Sequence, residues 1–237
     1  YGDHRDLHSF PTRRSSDLYL YPKISIVDPE VFVTVPPRTI AAAGMDALFH
    51  AIEAYISQRH NFYSDMLALR AISLLAQYLP RVYAQPQDVA AWGQVGFANT
   101  LAGMAIDIAG TTLPHAMEHP LSGLLNITHG EGLAALYPAI MEFSCRLVPD
   151  RFAAIAQALD ADIAGMDDLT AAARSVELVR ELLAKVNLNV QLADLGVKEE
   201  HLEWLTANTF KTMKTALGNH PERVDMDQVR KLYKLSL

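Results

Sequence analysis

An all-α domain with a short extended lead-in is the fold this sequence predicts, on three observations. Half of the 237 residues are apolar, ample for a helical core. From about residue 41 onward the apolar positions recur at helical intervals rather than alternating. Strand-favouring character is confined to one stretch near the start, YLYPKISIVDPEVFVTVPP.

Taken in order, the first segment stands apart. HSFPTRRSSDL, His8 to Leu18, has neither helical nor strand period and clusters Ser, Pro and Arg. The string resembles the conceptual translation of a short-read sequencing adapter. Residues 1–18 are therefore expected to be an artefact joined to a truncated frame, or else a disordered arm, and residues 19–237 the helical domain. From Tyr19, the groups Ile24, Ile26, Val27 and Val31, Val33, Val35 suggest partly buried extended segments stopped by Pro36 and Pro37. Helices are expected from Ala41 to Ser57, from Ser64 to Leu79 with Pro80 as terminator, and from Ala90 to Ile108. The third is rich in small residues, including Gly93, Gly96 and Gly103, which suits burial on several sides. Further helices are expected at about 113–122, 130–145, 150–160, 168–186, 198–213 and 225–235, with Asp150, Asp168 and Asp225 near their starts.

Composition excludes several function classes. A formal net charge of -7 and a pI near 5.7 argue against binding nucleic acid or an anionic membrane, both being polyanions. The expected partner is a small molecule. Cys145 is the one cysteine, so there is no internal disulfide and no thiolate cluster, and any metal is held by nitrogen and oxygen. No apolar run approaches the roughly 20 residues of a membrane span, and the start lacks the order of a signal peptide. The expected setting is cytoplasmic.

Two blocks carry the candidate chemistry. In GMDALFHAIEAY, Asp46 and His50 are four apart, which stacks them on one helical face with Glu53 and Ser57 further along it. In LPHAMEHPLSGLLNITHGEG, His115 and His119 are again four apart, and His129 follows a non-helical LNIT and opens the next helix. Three of the nine histidines thus fall within fifteen residues. One carboxylate and several imidazoles from different helices form the donor set of a catalytic divalent ion. Spacing alone leaves open which of His115 and His119 binds metal and which handles protons. A competing pattern is literal: His115-Ala116-Met117-Glu118-His119 reads H-x-x-E-H, the inverted zinc-peptidase motif. That reading leaves Asp46, His50 and His129 without a role.

The run DPEVFVTVPPRTIAAAGMDALFHAIEAYIS, followed by HAMEHPLSGLLNITHGEG, resembles the iron-containing (group III) alcohol dehydrogenases from about Tyr19 to the C-terminus. The resemblance implies their C-terminal helical metal-binding domain, of dehydroquinate synthase-like architecture. It places the family's metal ligands on Asp46, His50, His115 and His129. The family's further histidine, which moves a proton or positions the nicotinamide cofactor, falls on His119. It also implies Fe2+, with Zn2+ suited to the same donors, and NAD or NADP as hydride acceptor or donor. The substrate would be a primary or secondary alcohol or its aldehyde or ketone, polarised by the metal as Lewis acid, and the full-length protein a homo-oligomer, a dimer.

Two departures qualify the resemblance. Members carry an N-terminal α/β domain whose glycines let the backbone approach the dinucleotide pyrophosphate, and no G-x-G-x-x-G or GGGS-like stretch occurs in this chain. The expectation is a chain without that domain and without turnover of its own, a metal-binding helical unit. Glu118 stands where many relatives are expected to have a small residue, and it is expected to face solvent, since a carboxylate is seldom buried unpaired. Elsewhere, Trp92 and Trp204 are read as core or interface packing, and Phe97, Asn99 and Asp107 as possible cleft residues. His60, His201 and His220 are read as surface or cap residues, and Met141, Phe143 and Cys145 as core.

Overall fold

Proline starts the first helix as well as ending the lead-in: Pro37 occupies the first turn, where its missing N–H costs nothing. From there α1 runs Pro37–Ile56, α2 Phe62–Ala84, α3 Val89–Ala109, α4 Leu113–Leu125, α5 His129–Ser144, α6 Pro149–Leu159, α7 Asp168–Lys185, α8 Leu202–Thr212, α9 Lys214–Asn219 and α10 Met226–Leu235. The computed structural model describes residues 21–159 and 163–237; the expectations for residues 1–18 lie outside them. Among the described residues there is no strand, so the all-α class holds.

Two apolar cores share one helix. The first joins α1, α2, α3, α6 and α7 through side chains such as Leu48, Ile52, Ile72, Leu75, Phe152 and Val179. The second joins α4, α8 and α10 through Leu113, Met117, Leu121, Leu205, Val229 and Tyr233. Helix α5 gives Leu133, Ala134, Tyr137 and Met141 to the first and Ala135, Leu136 and Ile140 to the second. It is the wall between them. Its start is pressed against α1: a Cβ at Gly130 would lie 2.2 Å from the Ala42 carbonyl oxygen, so only glycine permits this approach. Two turns of helix further on, Tyr137 stacks on Phe49 at 3.7 Å.

Several elements differ from expectation. The lead-in forms no extended pair: Pro29–Phe32 is a single 3-10 turn capped by Asp28, and Ile24 and Ile26 are 82% and 88% exposed. A β-branched run without a partner strand has nothing to pair with. Pro80 does not end α2, which continues to Ala84. The apolar period itself continues through the fully buried Leu79 and Val82, and that burial offsets the hydrogen bond lost at proline. Helix α3 is buried along one side, not several; Phe97, Asn99, Gly103, Met104 and Asp107 are exposed. The expected helix at 198–213 is a 3-10 turn, Glu199–His201, followed by α8, and the short α9 adds a helix.

His220 is fully buried rather than superficial, stacked on Phe143, and burial lowers its pKa to about 4. His60 pairs with Asp65 at 3.1 Å, and His201 Nδ1 accepts from the Lys198 N–H, as surface and cap roles require. Trp204 is 44% exposed, on the side of α8 away from Leu205 and Thr209, whereas Trp92 is buried and donates to the Pro86 carbonyl at 2.8 Å. Met141 and Cys145 belong to the first core, and Phe143, partly buried, packs against the second.

Candidate metal centre

Asp46 and His50 lie on one face of α1, as their spacing requires. Helix α4 brings His115 and His119, then ends at Asn126 in the left-handed conformation, its N–H bonded to the Ser122 carbonyl. That turn reverses the chain so that His129, the first residue of α5, faces back toward α4. Three helices thereby converge. The Nε2 atoms of His50, His115 and His129 lie 3.6, 3.4 and 3.6 Å from the same Asp46 Oδ1.

These separations fit a divalent ion. Donors about 2.1 Å from a tetrahedral centre stand about 3.4 Å apart. Asp46 Oδ1 and His115 Nε2 are buried and have no hydrogen-bond partner among the described residues. Orphaned donor atoms of this kind are costly unless something else satisfies them. Spacing offered five candidates and the resemblance put the ligands on these four, whose donor atoms the structure places around one carboxylate oxygen.

Two further carboxylates stand behind the imidazoles. Glu53 Oε1 accepts from His115 Nδ1 at 2.6 Å, and its Oε2 accepts from the Thr112 backbone N–H at 2.6 Å and is 3.2 Å from the Thr112 hydroxyl. Glu118 corrects an expectation: it is fully buried, not turned to solvent. Its Oε2 accepts from His129 Nδ1 and its Oε1 from the Ser122 hydroxyl, and pairing of this kind makes burial tolerable. With Nδ1 held as donor, Nε2 of each ring keeps its lone pair for the centre.

Carboxylates and imidazoles shift one another's pKa across this cluster. Burial presses His115 down, but the carboxylates of Glu53 and Asp46 outweigh it and raise its pKa to about 10. A ligand must be deprotonated, so an entering ion displaces that proton. Burial presses Asp46 up, and the surrounding imidazoles hold it below its ordinary value. Burial and the neighbouring His115 lower the half-buried His50 to about 4, and burial likewise lowers His119 to about 4. The His119 ring sits edge-on to His129, centroids 5.5 Å apart.

A cleft of about 280 Å³ opens beside Asp46 and His129, floored by Ala42, Ala43 and Gly130 and edged by Arg38. Arg38 forms a two-point ion pair with Glu131 there. Phe97, Asn99 and Asp107 do not line it; Asp107 instead accepts from the Tyr21 hydroxyl at 2.6 Å. The H-x-x-E-H reading needs Glu118 to face a water beside the ion, and it is fully buried behind His129, on the Nδ1 side of the ring. Thr112, Ser122 and the buried role of Glu118 escaped sequence reasoning. One signal was available for Glu53, a carboxylate between apolar neighbours on the helical face that carries Asp46 and His50.

Residues 40–237 match the C-terminal domain of the Fe-containing alcohol dehydrogenase family. The chain belongs to this family. Among its relatives are the NAD-dependent methanol dehydrogenase of Bacillus methanolicus, 31% identical over 93% of this chain and 58% of that protein, and the 1,3-propanediol dehydrogenase of Klebsiella pneumoniae, 36% identical over 80% and 49%. Among solved structures, an archaeal halo-thermophilic alcohol dehydrogenase from a Red Sea brine pool superposes with a TM-score of 0.88 at 34% identity, covering 92% of this chain and 55% of that one. The chain spans about half the length of the iron-containing alcohol dehydrogenases it matches. Among the described residues no helix is long and apolar enough to cross a membrane.

Proposed function

We propose that Asp46, His50, His115 and His129 hold one divalent ion, and that the chain is the metal-binding part of a nicotinamide-dependent alcohol dehydrogenase. The observation carrying this reading is the approach of three Nε2 atoms to one carboxylate oxygen, at 3.4 to 3.6 Å. When bound, the ion supplies Lewis-acid polarisation of an alcohol or carbonyl oxygen. Iron(II) follows from the family, and zinc suits the same donors.

The side chains do the rest. Glu53 holds His115 in the tautomer that leaves Nε2 free. His119, lowered by burial to about 4, is neutral near pH 7 and can take the alcohol proton and pass it on. The cleft beside His129 admits a small alcohol or aldehyde. Since no glycine-rich phosphate loop occurs in these 237 residues, NAD or NADP is held by residues outside them. On their own, residues 19–237 act as a domain that retains metal without turnover; joined to a nucleotide-binding part, they act in a homo-oligomeric dehydrogenase.

In a full-length version carrying a nucleotide-binding part, Asp46→Ala and His129→Ala are expected to abolish both iron retention and alcohol-dependent NAD(P) reduction. Retained metal and turnover in both variants would contradict the assignment. The 237-residue chain alone is expected to give no heat on titration with NADH.

A further inference from the structure

The ligand least secured by packing has the most elaborate support behind it. The His129 side chain is 36% exposed, against 4% for His115, and it opens a helix directly after a non-helical turn. Packing therefore constrains its ring less than that of His115. Glu118, fully buried, supplies the constraint. One of its oxygens accepts from His129 Nδ1 and the other from Ser122. The same Ser122 hydroxyl is 2.9 Å from the Ile127 carbonyl oxygen, so its one proton is shared between the carboxylate and the reversing turn. Room for it comes from α5: a Cβ at Gly132 would lie 2.8 Å from Glu118 Oε1 and 3.0 Å from its Cγ.

We propose that Glu118 is a positioning residue of the metal centre: braced by Ser122 and accommodated by Gly132, it keeps His129 Nε2 turned toward Asp46 and thereby raises the affinity for a divalent ion. This rests on the ligand set proposed above. A general base would need an oxygen open to water, and Glu118 is fully buried; a direct ligand would need an oxygen on the Nε2 side of the ring, and its oxygens face His129 Nδ1 and Ser122 instead. The arrangement repeats, from a different helix, what Glu53 does for His115. Outer carboxylates that hold a histidine ligand typically contribute about 10–100-fold in metal affinity.

The test is titration of the purified 237-residue chain with Co2+ against a competing chelator, with the visible spectrum of the bound cobalt recorded and apoprotein melting measured alongside. Glu118→Ala is expected to weaken Co2+ binding about 10–100-fold and to change the spectrum. Glu118→Gln, which keeps the shape and an acceptor oxygen, should recover part of the affinity. Gly132→Ala, which crowds the carboxylate from the far side, should weaken binding as well. Asp46→Ala, as reference, should lose binding altogether. Wild-type affinity and spectrum in Glu118→Gln and Glu118→Ala, with binding lost in Asp46→Ala, would reduce Glu118 to packing and overturn the inference alone. Wild-type binding in Asp46→Ala would overturn the ligand set itself. Should Glu118→Ala not fold, Glu118→Gln decides: affinity within twofold of wild type overturns the inference.

Discussion

On the α1 side of the centre, Asp46 and His50 sit in mid-helix, flanked by fully buried Met45, Leu48, Phe49 and Ile52, so the first core places their backbone. On the α4 and α5 side, His115 and His129 belong to two different helices joined by a left-handed residue, and each ring is held from behind by a buried glutamate. Apolar packing places the backbone on both sides, and on the α4 and α5 side hydrogen bonds to buried carboxylates also fix the imidazole rings. Packing on a single helix sets ligand spacing automatically, through the 3.6-residue period. Spacing between helices has no such device, and in this molecule buried carboxylates provide it.

The largest expected effect comes from removing such a carboxylate. Glu53→Ala leaves the buried His115 Nδ1 and the Thr112 N–H without their acceptor. Breaking a buried, hydrogen-bonded charge pair costs about 3–5 kcal/mol, to be read as the free energy of chemical denaturation of the apoprotein. A loss below about 1 kcal/mol, the value of an exposed pair, would mean that packing alone holds the α4 side.

A smaller effect is expected where the two sides touch. Gly130→Ala drives a Cβ toward the Ala42 carbonyl, and overpacking of this kind costs about 1–3 kcal/mol. It should also weaken metal binding by moving His129 away from Asp46. Gly103→Ala is the smallest change and of opposite sign. A Cβ at Gly103 meets nothing within 4 Å, so replacing a mid-helix glycine there should stabilise by about 0.5–1 kcal/mol. The same denaturation series checks both, and equal effects at the two positions would contradict the close contact between α5 and α1.

The contrast also explains what was legible in the sequence. Asp46 with His50, and the helices bearing them, follow from periodicity, which a single sequence displays. The all-α class followed for the same reason. That His115 and His129 meet Asp46 depends on the turn at Asn126 and the glycine contact at Gly130, which are tertiary and leave little periodic trace; the family resemblance supplied that step. Glu118 was misread because the solvent-facing expectation assumed no partner, and its partner lies eleven residues away across a turn. His220 is a cap, at the end of α9, but its burial was missed likewise, its neighbours Phe143 and Ser144 being distant in the chain. The lead-in failed differently: β-branched residues express a local preference that only a partner strand can realise.

The central claim is that Asp46, His50, His115 and His129 form one site, and the most direct test is metal analysis with X-ray absorption spectroscopy on the iron-loaded chain. The account predicts one ion per chain with a first shell of oxygen and imidazole nitrogen, and an imidazole contribution that diminishes in His50→Ala, His115→Ala and His129→Ala separately. An imidazole contribution unchanged in any one of these variants, or an ion retained at full stoichiometry by Asp46→Ala, would contradict it.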